Sequence, residues 1–118
     1  MGTGDYTIEG WYKPTNLALA RHLFALIDNT APANMNQVVG VDIGGANGQL
    51  RLMSNGGSPI IDTAPGTFSA NEWHHVAVVR NDDTWRLFVD GSEAAALTVD
   101  QSSHNAVRLE IGTWTSQW

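Results

Sequence analysis

An all-β domain, a sandwich or barrel of short strands, is what this sequence predicts. Two observations carry the reading. Apolar and polar residues alternate over several runs, the period of a half-buried strand. Clusters of Gly, Asn, Asp, Ser and Pro separate those runs about every 8–12 residues.

Residues 5–13 (DYTIEGWYK) set Tyr6, Ile8 and Tyr12 on one face and Thr7, Glu9, Trp11 and Lys13 on the other. Residues 37–43 (QVVGVDI) are rich in β-branched side chains, and 49–53 (QLRLM) alternate again. The loop between them, Gly44 to Gly48, holds residues that tolerate positive φ and reads as a hairpin connection. A second turn, Asn55 to Pro59, leads into a short strand over 59–62. Residues 73–80 (WHHVAVVR) are apolar on both faces, as a strand buried between layers would be. Asn81-Asp82-Asp83 turns the chain, and 84–90 return with Trp85, Leu87 and Val89 on one side. Asp90-Gly91 is a strong hairpin signal. Glu93 to Val99 follows, then a polar loop over 100–105, then Val107, Leu109 and Ile111 in alternation.

The stretch 17–29 (LALARHLFALIDN) is open to two readings. Leu17, Ala20, Leu23, Phe24 and Ile27 fall at helical spacing with Asn16 as a cap. A loop followed by a strand from His22 to Asp28 fits as well, and periodicity leaves both open. The core is expected at Ile8, Tyr12, Leu26, Val39, Val41, Leu50, Leu52, Val76, Val78, Leu87, Val89, Leu109 and Ile111.

Composition narrows the function. A chain of 118 residues fits one domain and, at 42% hydrophobic, supplies a real core. Without cysteine there are no disulfides, no thiol chemistry and no Cys-ligated zinc. Twelve acidic against six basic side chains, a formal charge of −6, weigh against a nucleic-acid partner. No apolar run approaches the roughly 20 residues of a spanning helix, so no membrane insertion is expected. The first five residues carry no positive charge and no apolar segment, so no secretory signal is read there.

Two motifs are more specific. Tyr6, Thr7, Ile8, Glu9, Gly10, Trp11, Lys13 and Pro14 form one. Trp73, His74, His75, Val76, Ala77 and Val78, then Leu87, Phe88, Val89, Asp90 and Gly91, form the other. In this order and spacing they resemble the laminin G-like domains of the concanavalin A-like lectin/glucanase superfamily. The resemblance spans nearly the whole chain. It implies a two-sheet antiparallel, jelly-roll-like sandwich, and it favours a strand at Leu23 to Asp28. Family members also carry a strand before the first motif and a closing Gly-x-Ile-Asp-x-Val-Arg strand. Here Asp5 opens the motif, and Ile111-Gly112 is followed by TWTSQW. The expectation is a single domain, residues 1–118, truncated at both ends by one strand each. Bared sheet edges would then pair with another chain, so a homo-oligomer is expected. The family implies an extracellular or virion-surface setting.

Glucanase relatives use a Glu-x-Asp-x-x-Glu strand, which this sequence lacks, so no catalytic residue is assigned and no enzyme is expected. His74 and His75 are adjacent, so on a strand they face opposite sides and cannot share a metal. A packed, hydrogen-bonded inner histidine beside a solvated outer one is the reading. Relatives that bind calcium do so through loop oxygens, which makes Asp28, Asn29, Asp82 and Asp83 the candidate ligands here. Of five tryptophans, Trp11, Trp73 and Trp85 lie in motif strands and are expected in the core. Trp114 and Trp118 are the candidates for a ligand face. The functional expectation is a non-catalytic recognition module that binds carbohydrate, with a structural or protein-binding, oligomerising module as the alternative.

Overall fold

The computed structural model describes residues 4–17, 21–28, 36–44, 47–54, 59–95, 98–99, 106 and 108–112. These hold ten strands: β1 (Tyr6–Tyr12), β2 (Arg21–Asp28), β3 (Asn36–Gly44), β4 (Gln49–Ser54), β5 (Pro59–Asp62), β6 (His74–Asn81), β7 (Thr84–Val89), β8 (Ser92–Glu93), β9 (Thr98–Val99) and β10 (Arg108–Ile111). The first sheet runs β1-β6-β7-β8, with β9 also paired to β7; the second runs β10-β2-β3-β4-β5. Every pairing is antiparallel. This is the two-sheet sandwich that the motifs imply. The ambiguous stretch resolves as strand, because Phe24 and Leu26 pair with Val41 and Val39 and are buried with them.

The two sheets close on one core. Val39, Val41, Leu50 and Leu52 from the second sheet and Val76, Val78, Trp85 and Leu87 from the first are completely buried. Period-two alternation puts each of them inward while its chain neighbours point away. Tyr6, Ile8 and Tyr12 of β1 pack at the margin of this core, half-buried.

The expected core fails in two places. Leu109 and Ile111 sit opposite Leu26 and Phe24, so alternation turns them toward the core side. They are nonetheless exposed, because β10 is the edge strand and no described residue covers them. Trp11 and Trp73 are the second failure. They are 65% and 63% exposed, whereas Trp85 is completely buried. Trp11 shares its face with Thr7 and Glu9, and that face of β1 looks outward.

The turns follow their residues. Asp82 has φ 53°, and Asp90-Gly91 has φ 51° and 80°, the positive pair that a tight hairpin needs. Gly48, with φ 67°, is forced by packing as well. A Cβ there would meet the Phe68 carbonyl oxygen at 1.8 Å, and the Phe68 amide donates to the Gly48 carbonyl at 2.9 Å.

Candidate functional site

The register of the first sheet sorts its side chains into two sets. On β6, His74, Val76, Val78 and Arg80 point inward and are buried. On the inner side the hairpin motif is a clamp. His74 Nδ1 hydrogen-bonds Asp90 Oδ2 at 2.7 Å, and its Nε2 faces the hydroxyl and amide of Ser69 at 2.8 and 3.3 Å. The His75 amide donates to Asp90 Oδ1 at 2.9 Å. Those two bonds, the His74 bond above all, hold the Asp90 carboxyl below the usual aspartate range. The motif's conspicuous His and Asp thus lock a strand start to a turn.

A second lock closes the other end of the same hairpin. The Arg80 side chain is fully buried; its Nε donates to the Asp82 carbonyl at 3.0 Å, and its guanidinium lies 3.7 Å from the Asp83 carboxylate. The cation sits 5.4 Å from the Trp85 ring centroid, and Tyr6 meets Trp85 edge-on at 5.6 Å. The Asp82 amide donates to Asp5 Oδ1 at 2.6 Å. Sequence reasoning missed Arg80, since an arginine closing an apolar strand reads as a solvated end.

The outer side of the sheet is built differently. Strand pairing places Trp11 opposite His75, Glu9 opposite Ala77 and Thr7 opposite Val79. Across β7, Ala77 faces Phe88 and Val79 faces Arg86. Trp11 and His75 rings lie 5.2 Å apart, tilted by 54°, and His75 Nε2 lies 3.2 Å from Glu9 Oε2. Trp73 precedes β6 by one residue, where alternation continues the side of His75. By that alternation two exposed indoles share the outer side of the sheet, and His75 and Glu9 lie beside Trp11. The sequence held a signal for this: the alternation of β1 grouped Trp11 with Thr7, Glu9 and Lys13.

A cleft of about 180 Å³ opens at one end of the sandwich, lined by Tyr12, Lys13, Thr15, His22, Ile43 and Gly112 among others. His22 faces Asp42 across the β2–β3 ladder and hydrogen-bonds it through Nδ1. That bond raises the His22 pKa above the ordinary histidine value, against an opposing effect of burial; the Asp42 and Glu110 charges add to the rise. Burial likewise raises the Tyr12 pKa.

Of the sequence-derived candidates, only Asp82 and Asp83 fall wholly within the described residues. Trp114 and Trp118 lie outside the described residues, as do Asn29 and the side chain of Asp28. Asp82 and Asp83 form the β6–β7 turn and engage Arg80. Among the described residues no group of three or more His, Asp or Glu is placed to hold a metal ion.

With two antiparallel sheets around one core, the molecule is a β-sandwich of jelly-roll type. The family model for laminin G-like domains of the concanavalin A-like lectin/glucanases superfamily matches residues 1–117, and the chain belongs to that superfamily. Among solved structures, an alginate lyase from polysaccharide lyase family 7 is similar, with 13% identity and a TM-score of 0.59. The match covers 98% of this chain and 49% of the lyase, so the chain spans about half that enzyme's length. At that identity the likeness is one of fold. No curated protein matches the chain.

Proposed function

We propose that this protein is a non-catalytic carbohydrate-recognition module whose ligand stacks on Trp11 and Trp73. One observation carries the reading: two indoles, each nearly two-thirds exposed, stand on the outer face of the first sheet. Large exposed aromatics do not help a sandwich fold, and a patch of them marks a binding surface. The C–H bonds on the flat face of a sugar ring suit the negative face of an indole, and Glu9 near Trp11 offers an acceptor for hydroxyls. Membership of a superfamily named for lectins and glucanases, and a polysaccharide lyase among similar folds, support the ligand class. The non-catalytic part rests on the sequence, which lacks the glucanase carboxylate motif.

The test is a glycan-array screen in calcium and in EDTA, with Trp11→Ala and Trp73→Ala beside the parent. Saturable binding lost in both variants and kept in EDTA is the expected result. Binding lost in EDTA would assign calcium a role and turn attention to Asp28, Asn29, Asp82 and Asp83. Binding that survives both variants but fails on truncating Trp114 or Trp118 would move the ligand face there. Release of reducing ends from a bound glycan would replace recognition by catalysis.

The second reading is an oligomerising or protein-binding module. The exposed Leu109 and Ile111 on edge strand β10 favour it, since an apolar edge is a template for strand pairing. Light scattering across the micromolar range tests it; a monomer throughout would count against it.

A further inference from the structure

We infer that the outer face takes a neutral, linear oligosaccharide lying obliquely across β1, β6 and β7, with one end on Trp11 and Trp73 and the other in a groove beside Arg86. This rests on the stacking reading above and adds the ligand's length, path and charge.

The groove holds about 330 Å³ and is lined by Val79, Asn81, Thr84, Arg86 and Phe88. It is within the size range of small-molecule sites. Strand register places it on the Trp11 side of the sheet. Val79 is opposite both Thr7 and Arg86, and His75, four residues earlier on β6, is opposite Trp11. Trp11 and Arg86 are thus four residues apart along the strands and two strands apart across them. At ~3.4 Å per residue and ~4.8 Å per strand that is roughly 16 Å, too long for one sugar ring and suited to a short chain.

The charges on this face select against an anion. Arg86 lies 4.0 Å from Glu93, and His75 lies 3.2 Å from Glu9. The Arg86 guanidinium therefore already faces a carboxylate, and the whole chain carries a formal charge of −6. A polyanion would displace those carboxylates and meet a repelling field. Sugar hydroxyls donate and accept, so they can use Glu9, Glu93, Arg86, Asn81 and Thr84 alike. The same pattern argues against a protein partner, because the centres of protein interfaces are depleted of charge. Val79 and Phe88 give the groove an apolar floor, which suits a sugar's C–H face as the indoles do.

The experiment is calorimetry on the full chain with neutral gluco-, manno-, xylo- and galacto-oligosaccharides, from disaccharide to hexasaccharide, and oligouronates of the same lengths. One neutral ladder should bind, its affinity rising about tenfold or more with length. Arg86→Ala and Asn81→Ala should flatten that rise and leave the disaccharide affinity in place. Trp11→Ala should remove binding at every length. Affinity independent of length, or a rise that survives Arg86→Ala and Asn81→Ala, would overturn the groove and leave the stacking reading standing. Tighter binding of oligouronates would overturn the assignment of charge. No binding by any ladder, with the protein folded by circular dichroism, would overturn the carbohydrate reading itself.

Discussion

Trp85 and Trp11 belong to the same sheet and differ by face. Trp85 is completely buried, under Arg80 and against Tyr6, while Trp11 is 65% exposed over His75. The two motif histidines divide in the same way: His74 locks to Asp90 inside, and His75 faces Glu9 outside. Inner residues are accounted for by folding, since each fills space or satisfies a turn. The outer indoles fill no interior space, so their bulk asks for another reason, and a ligand supplies one. The two faces should therefore tolerate substitution very differently.

The largest effect belongs to the inner face. Val78 is completely buried between Ile8 and Leu87 on the flanking strands. Val78→Asp puts an unpaired charge there at a cost of several kcal/mol, comparable with the ~5–15 kcal/mol that stabilises a domain. The variant should be unfolded by circular dichroism at room temperature. A folded variant would mean that the faces have been assigned the wrong way round.

Arg80 comes next. Its side chain packs on Trp85 and satisfies the Asp82 carbonyl, so Arg80→Ala leaves a hole and an unpaired turn. We expect a loss of about 2–4 kcal/mol in urea unfolding, mostly from packing. Arg80→Met keeps the stem and should cost less. Equal losses would show that the cation, rather than its bulk, holds the hairpin.

Two histidine–aspartate pairs make stability respond to pH with opposite signs. The folded pKa of His22 is raised by Asp42. Its contribution is therefore fully present below the unfolded value of ~6.5 and is lost as pH rises through the folded value. Stability should fall across that window, and Asp42→Asn should remove most of the fall. Asp90 has the opposite sign: its lowered pKa gives stability that is present above the unfolded value and lost as pH drops through the folded one. Asp90→Asn should blunt that acid limb. Unfolding midpoints measured from acid to mildly alkaline pH check both slopes.

Much of the fold was legible because alternation and hairpin turns are local. Asp90-Gly91 and the β6–β7 turn need only their own residues to declare themselves. Where the sequence misled, the missing knowledge was non-local. Alternation turned Leu109 and Ile111 to the correct side, but whether anything covers that side depends on distant chain. Arg80 is an exception: its partners Asp82 and Trp85 lie just ahead in the same hairpin, but an arginine closing an apolar strand reads as a solvated end. The outer face was half visible: the pattern of β1 put Trp11 outside, while the apolar preference of tryptophan argued for the core. The pattern was the better guide, since strand geometry fixes a face and hydrophobicity only biases it.

The smallest expected change in stability is on the outer face, and it bears most directly on function. Trp11→Ala and Trp73→Ala remove side chains that are mostly in water, so each should shift stability by only about 0.5 kcal/mol or less. The loss of the Trp11–His75 ring contact is the main reason for any shift at Trp11. Glycan binding, by contrast, should disappear in both. If either variant instead loses several kcal/mol, that indole is covered by another part of the chain and belongs to the fold. The ligand face would then have to be sought elsewhere, first in the end cleft beside Tyr12 and His22. Trp fluorescence separates the cases directly, because a solvated indole is quenched by added iodide and a covered one is not.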